Sequence, residues 1–325
     1  MSDTIYLATQ TGLAICQRAN GTWKVEERVL KDHHVTSVIA REGVILAGTT
    51  KGVQRSDDEG QHWRPVSQGL TSPHVRWLAY HPEISDLEFA GTEPAGIFVS
   101  HDGAEHWSAR PEVIALRDQY DWMLPYSPEA GCVRGFTFHG KRAYAAVEVG
   151  GVLRSSDGGE SWALAEGSDG NPDLSGPPEP YVYPDIHDVA VHPSSPDLIF
   201  AATGGGFYRS DDGGATWKLL YDCYCRALWL DRNDPTHIIF GPAKNVGVGG
   251  RVEESHDGGQ TWHLASSSLD VPWPRTMPER LTQLGDELFC VLDDGRLLVT
   301  PLATLDWKFI LEDMPSVNAV TAMQR

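Results

Sequence analysis

The chain has 325 residues, with 33 glycines, 21 prolines and 45 acidic against 26 basic side chains, a formal charge of −19. So acidic a surface repels nucleic acid and anionic membranes, and neither is expected as a partner. No basic region followed by an apolar run opens the chain at Met1-Ser2-Asp3-Thr4, and Cys16, Cys132, Cys223, Cys225 and Cys290 are an odd set without regular spacing. A reduced, cytoplasmic protein with no signal peptide or transmembrane segment is the expectation.

In chain order, one unit recurs. Ile5 to Thr9 matches the second strand of a unit, and Asn20-Gly21-Thr22-Trp23 follows it. The second unit has strands at Val35 to Ala40, Val44 to Gly48, Gly52 to Ser56 and Trp63 to Val66. The third has Val75 to Tyr80, Leu87 to Gly91, Gly96 to Ser100 and a strand from Trp107. The fourth has Val133 to Phe138, Ala143 to Glu148 and Val152 to Ser155. The fifth has Ile186 to Val191, Leu198 to Ala202 and Phe207 to Ser210. The sixth has Arg226 to Leu230, Ile238 to Phe240 and Arg251 to Glu254. The seventh has Arg280 to Leu284, Leu288 to Leu292 and Leu297 to Thr300, and Val317 to Met323 ends the series. All are short apolar or alternating runs bounded by Gly, Pro or Asp.

Five units carry a common octet. Ser210 to Trp217 reads S-x-D-x-G-x-T-W, and Ser255 to Trp262 repeats it in full. Ser155 to Trp162 has Ser161 for the threonine, Ser56 to Trp63 has His62 there, and Ser100 to Trp107 has Ala104 and His106. The aspartates Asp58, Asp102, Asp157, Asp212 and Asp257 suit a tight turn, accepting bonds from N–H groups of their own turn. The glycine permits a positive φ, and the tryptophan buries a large surface between sheets. The octet resembles the Asp-box of the BNR-repeat β-propellers. The tryptophans are spaced 44, 55, 55 and 45 residues apart, and worn copies end at Trp23 and Trp307. Seven units of about 46 residues result, a period suited to propeller blades.

The fold expected is all-β: a single seven-bladed propeller of four-stranded antiparallel blades. Blade one is 316–325 plus 4–30, and the others are 33–67, 74–110, 132–165, 185–221, 224–265 and 278–312. The chain opens on a second strand and closes on an inner one, so the last strand should complete the first blade and remove the open edge. Inserts at 111–131 (with Trp122 and Tyr126), 166–184, 242–250 and 266–278 (with Trp273) all fall on the face opposite the octets. Long loops on a rigid scaffold are where binding concentrates.

Aligned inner strands place Thr36, Arg76, Arg134, His187, Arg226, Arg280 and Asn318 at one position near the central channel. Converging guanidiniums suit a carboxylate, phosphate or sulfate. The alternative is that each pairs with an acid from the ends of the second strands, which align as Gln10, Thr50, Glu93, Glu148, Gly204, Lys244 and Asp293. Glu93 and Glu148 are the candidate acid–base pair for a glycosidic bond. Tyr181, Tyr183, Asp185 and Asp188 neighbour His187, and Trp122 and Trp273 are candidate stacking surfaces. No cofactor or metal is expected. His34, His74 and His187 are the weak metal candidates, lacking HxH or HxxxH spacing. Cys223-Tyr224-Cys225 reads as loop packing, and His81-Pro82 and His192-Pro193 as repeat turns.

The resemblance to Asp-box proteins spans nearly the whole chain and implies the fold. Similar boxes occur in sialidases, xyloglucan-degrading enzymes, sortilin-type receptors and a photosystem II assembly factor. Sialidases set an arginine cluster on a carboxylate, but this chain lacks their N-terminal Arg-Ile-Pro element and reads as seven blades rather than six, so that activity is not carried over. Two functions are expected. One is binding of a small anionic or carbohydrate-like ligand on Arg76, Arg134, His187, Arg226, Arg280, Lys244 and Tyr183, with hydrolase or lyase chemistry if catalytic. The other is a protein-interaction scaffold using loops 111–131 and 166–184.

Overall fold

The computed structural model describes residues 3–123, 131–314 and 316–324. These form seven four-stranded antiparallel sheets, each following chain order from inner to outer strand except the first. That sheet runs Val317–Thr321, Thr4–Thr9, Gly12–Ala19 and Thr22–Val29. Tyr6 pairs with Thr321 and Ala8 with Ala319, so the two ends of the chain close the ring within one sheet. The fold is thus a seven-bladed β-propeller.

Its core lies between blades, in clusters that each draw residues from adjacent sheets. Phe89 of blade three meets Phe136, Phe138 and Trp162 of blade four. Trp162, Trp217 and Trp307 are buried. The buried His81 and His192 act as staples: their Nε2 atoms lie 3.2 Å from the Gly140 carbonyl and 2.7 Å from the Asp231 carbonyl of the next blade.

The octets are built alike. The serine hydroxyl accepts from the backbone N–H four residues on, at 2.8–2.9 Å in all five copies. One oxygen of each aspartate accepts from another N–H at 2.8–3.0 Å. The other oxygen takes the side chain at the threonine position: Ser161, Thr216 and Thr261 donate at 2.6 Å. His62 and His106 place Nδ1 at 2.6 and 2.7 Å in the same role, so imidazole substitutes for hydroxyl. The aspartates are structural, and the hidden partner is the serine.

One element departs from expectation. Within the insert 111–131, Pro111–Tyr120 is an α-helix rather than a loop, with proline at its start and Glu112 in its first turn. Proline there has a fixed φ suited to helix and lacks only an N–H that would be unpaired anyway. Tyr126 lies outside the described residues.

Candidate binding site at the channel mouth

Every inner strand carries a β-bulge near its start. The ladder skips a residue at Thr36, Arg76, Arg134 and His187, at Arg226-Ala227, at Glu279, and at Asn318. A bulge leaves its extra residue outside the pairing and re-aims its side chain. Seven bulges in register therefore ring the channel mouth. Sequence alignment found six of the seven; in blade seven the bulged residue is Glu279, one before Arg280.

Glu279 organises the ring. Its Oε2 accepts from Arg226 Nη1 at 2.7 Å, and its Oε1 accepts from Arg134 Nη2. Burial opposes its charge, but the guanidiniums of Arg134 and Arg226 outweigh that and hold the carboxyl down at about 2. Arg134 also reaches Glu148 at 3.2 Å. Arg280 donates to the Arg134 carbonyl at 3.1 Å, stacks over the Trp77 ring at 3.7 Å and lies 3.8 Å from Asp188. Burial pushes Asp188 up from the ordinary carboxylate value, with Arg280 opposing. Arg76 lies 3.6 Å from Glu93 and, at 33 % side-chain exposure, is the most open of the four. Each arginine thus has a carboxylate within 4 Å. Two of those partners, Glu93 and Glu148, stand on the predicted strand ends; Asp293 does not serve, because its Oδ1 accepts from Thr276 and the Met277 N–H.

A cavity of about 240 Å³ opens here. Arg76, Arg134, Arg226 and Arg280 line it against two carboxylates, Glu279 and Asp293, with Trp77 and Asn318 among the remaining walls. Glu93 and Glu148 are not lining residues; Glu148 is 2 % exposed and is held by Arg134 and the Cys132 thiol. That placement removes the expected geometry of two carboxylates flanking an open cleft. His187 is fully buried, its Nδ1 facing the Cys225 carbonyl at 2.8 Å and its Nε2 near the Tyr224 hydroxyl at 3.3 Å. Tyr224 in turn accepts from Arg226, so His187 braces the ring from behind rather than facing a ligand.

The aromatic candidates are also corrected. Trp122 is fully buried with Nε1 donating to the Gly170 carbonyl, and Trp273 packs in the core between blades six and seven. Both anchor inserts and offer no stacking face. Tyr183 donates to the Leu174 carbonyl and, partly buried, packs against the core between blades four and five. Lys244 is exposed on its loop and is not among the cavity residues. His34 lines the cavity, and His74 lies 3.8 Å from Glu93. Among the described residues no metal-type cluster joins His34, His74 and His187; His187 groups instead with Glu148 and Asp185.

The fold and turns define a class: a propeller built on Asp-boxes. The BNR/Asp-box repeat family model matches residues 208–219 and 253–264. Over these two repeats the chain is similar to BNR-type β-propellers. It is 31 % identical over 119 residues to the photosystem II assembly lipoprotein Ycf48 of Synechococcus sp. (strain CC9902), covering 36 % of this chain and 32 % of that protein. It is 25 % identical over 170 residues to a xyloglucanase of Hypocrea jecorina (strain QM6a), covering 48 % of this chain and 19 % of that protein. The chain therefore spans a third or less of these curated relatives. A solved structure of YCF48 bound to D1 peptide aligns with a TM-score of 0.64 at 16 % identity, covering 95 % of this chain and 89 % of that one, a likeness of fold.

Proposed function

We propose that this propeller is a binding module whose channel mouth receives one small anionic group, such as a sugar acid, a phosphosugar or a dicarboxylate. The observation that supports it is the cavity lining, where four guanidiniums converge, each with a carboxylate within 4 Å, and Arg76 stays 33 % exposed. Guanidinium groups hold carboxylate and phosphate through paired N–H donors. The volume of about 240 Å³ lies below the roughly 300–1,000 Å³ of drug-sized pockets, so a compact acid fits best. Hydrolysis is the weaker reading, because neither Glu93 nor Glu148 lines the cavity. The test is a thermal-shift screen with such anions at low and moderate salt. A salt-sensitive hit that Arg76→Ala removes without lowering the ligand-free midpoint supports the module.

The alternative is an assembly scaffold. It is favoured by the partial likeness to Ycf48, called an assembly lipoprotein, and by the exposed Leu174 within the insert 166–184. A silent anion screen, with a partner captured by the full chain but lost on deleting residues 171–178, would favour the scaffold over the ligand module.

A further inference from the structure

On the opposite face, beside the octet of blade six, lies a group that the arginine ring does not use. His237 precedes the strand Ile238–Ala243, Glu254 lies in Glu253–Ser255, and His256 is the second residue of the octet turn. His237 Nε2 is 3.5 Å from Glu254 Oε2, and His256 Nε2 is 3.2 Å from the same oxygen. A tetrahedral ion with bonds of roughly 2.0–2.1 Å separates its ligands by about 3.3–3.4 Å. The edges of 3.5 and 3.2 Å bracket that spacing, and all three ligand atoms lie within 4.8 Å of one another.

The outer contacts point the same way. His237 Nδ1 faces Asp231 Oδ2 at 3.3 Å, a contact that suits the tautomer with the proton on Nδ1, which would leave Nε2 free to ligate. A carboxylate behind a histidine in this manner orients metal-ligating imidazoles and raises their basicity. Asp231 is itself fixed, its other oxygen accepting from the Asn233 N–H at 2.9 Å. His237 Nε2 is buried and makes no hydrogen bond among the described residues, and the His256 ring stacks on the His237 ring with centroids 4.3 Å apart. Trp229 packs on His237 in a T-shaped contact with ring centroids 5.3 Å apart. A cleft of about 310 Å³ between blades six and seven opens on the three side chains, with Ser267 and Thr304 on its walls.

We propose that His237, Glu254 and His256 form a binding site for a divalent transition metal of the zinc class, with Asp231 orienting His237 and the cleft side open for a further ligand. Two imidazoles and a carboxylate with one open position are the donor set such an ion takes. The second group of this kind, Glu148, Asp185 and His187, is less suited, because the Arg134 guanidinium stands 3.2 Å from Glu148 and repels a cation.

The experiment is a cobalt(II) titration of the untagged, chelator-treated full chain, read by visible absorption, followed by displacement with zinc. The expected result is one saturable equivalent with an intense low-symmetry band that zinc abolishes. His256→Asn, which alters a side chain 59 % exposed, should keep the native circular dichroism and lose the band. Asp231→Asn should weaken affinity by roughly 10–100-fold while keeping the band. Absence of saturable binding overturns the proposal. So does binding that His256→Asn leaves intact, since the metal would then sit elsewhere.

Discussion

Glu279 Oε2 lies 2.7 Å from Arg226 Nη1 while its other oxygen holds Arg134, so one carboxylate binds guanidiniums from two other blades. Glu279→Gln removes that charge and turns an amide N–H₂ toward a guanidinium. Leaving buried charge uncompensated costs several kcal/mol, and a loss of about 2–4 kcal/mol is expected in urea denaturation. The same change strips a carboxylate from the cavity lining. Affinity for a small dianion should therefore rise, roughly tenfold, even as stability falls.

The pH dependence of that carboxylate follows from its sign. Glu279 is held at about 2, below its ordinary 4.5, so it adds stability that is fully present above pH 4.5 and is lost as pH falls toward 2. At 1.36 kcal/mol per pH unit this amounts to about 3 kcal/mol. Urea midpoints of the parent and of Glu279→Gln should converge over that interval; parallel curves would exclude Glu279 as the titrating group.

Glu88 behaves oppositely. Burial raises its carboxyl from 4.5 to about 7, against the opposing bonds from Ser100 and the Ala104 N–H. The folded state then holds a proton that the unfolded state has released, so stability falls as pH rises from 4.5 to 7 and is level beyond. Glu88→Gln should flatten this decline of about 3 kcal/mol, matching the parent at pH 4 and exceeding it at pH 8.

The periodic part of the molecule was legible because it is local. The octet fixes each turn, the tryptophan spacing fixes seven units, and the order of the terminal strands fixes the closure through Tyr6 and Thr321. The site was half legible. Counting along inner strands assumes a period of two, and a bulge inserts one residue into that count. Six blades share the bulge at an equivalent position, so Arg76, Arg134 and Arg226 aligned; the neighbouring Glu279 and Arg280 could not be told apart. The Arg134–Glu279 contact joins residues 145 apart in sequence, and no local pattern records it. The burial of Trp122 and Trp273 is not legible for a similar reason: exposure depends on how an insert packs, not on its length.

The octet itself gives a stability prediction. Ser210 Oγ accepts from the buried Gly214 N–H at 2.8 Å and donates to Asp212 at 2.8 Å. Ser210→Ala leaves that N–H unpaired and should cost about 1–3 kcal/mol. Gly159 of the fourth blade has positive φ and lies against the Phe89 ring, so Gly159→Ala should cost about 1–3 kcal/mol through overpacking. Thermal unfolding of both variants checks the pair.

The arginine ring as an anion receptor is tested most directly by isothermal titration of the full chain with its best small anion, in three forms: parent, Arg76→Ala and Glu279→Gln. The account predicts one site, weakened at least tenfold by Arg76→Ala, strengthened by Glu279→Gln, and lost progressively with added salt. Equal affinities in all three forms, or heat that does not depend on salt, would contradict it.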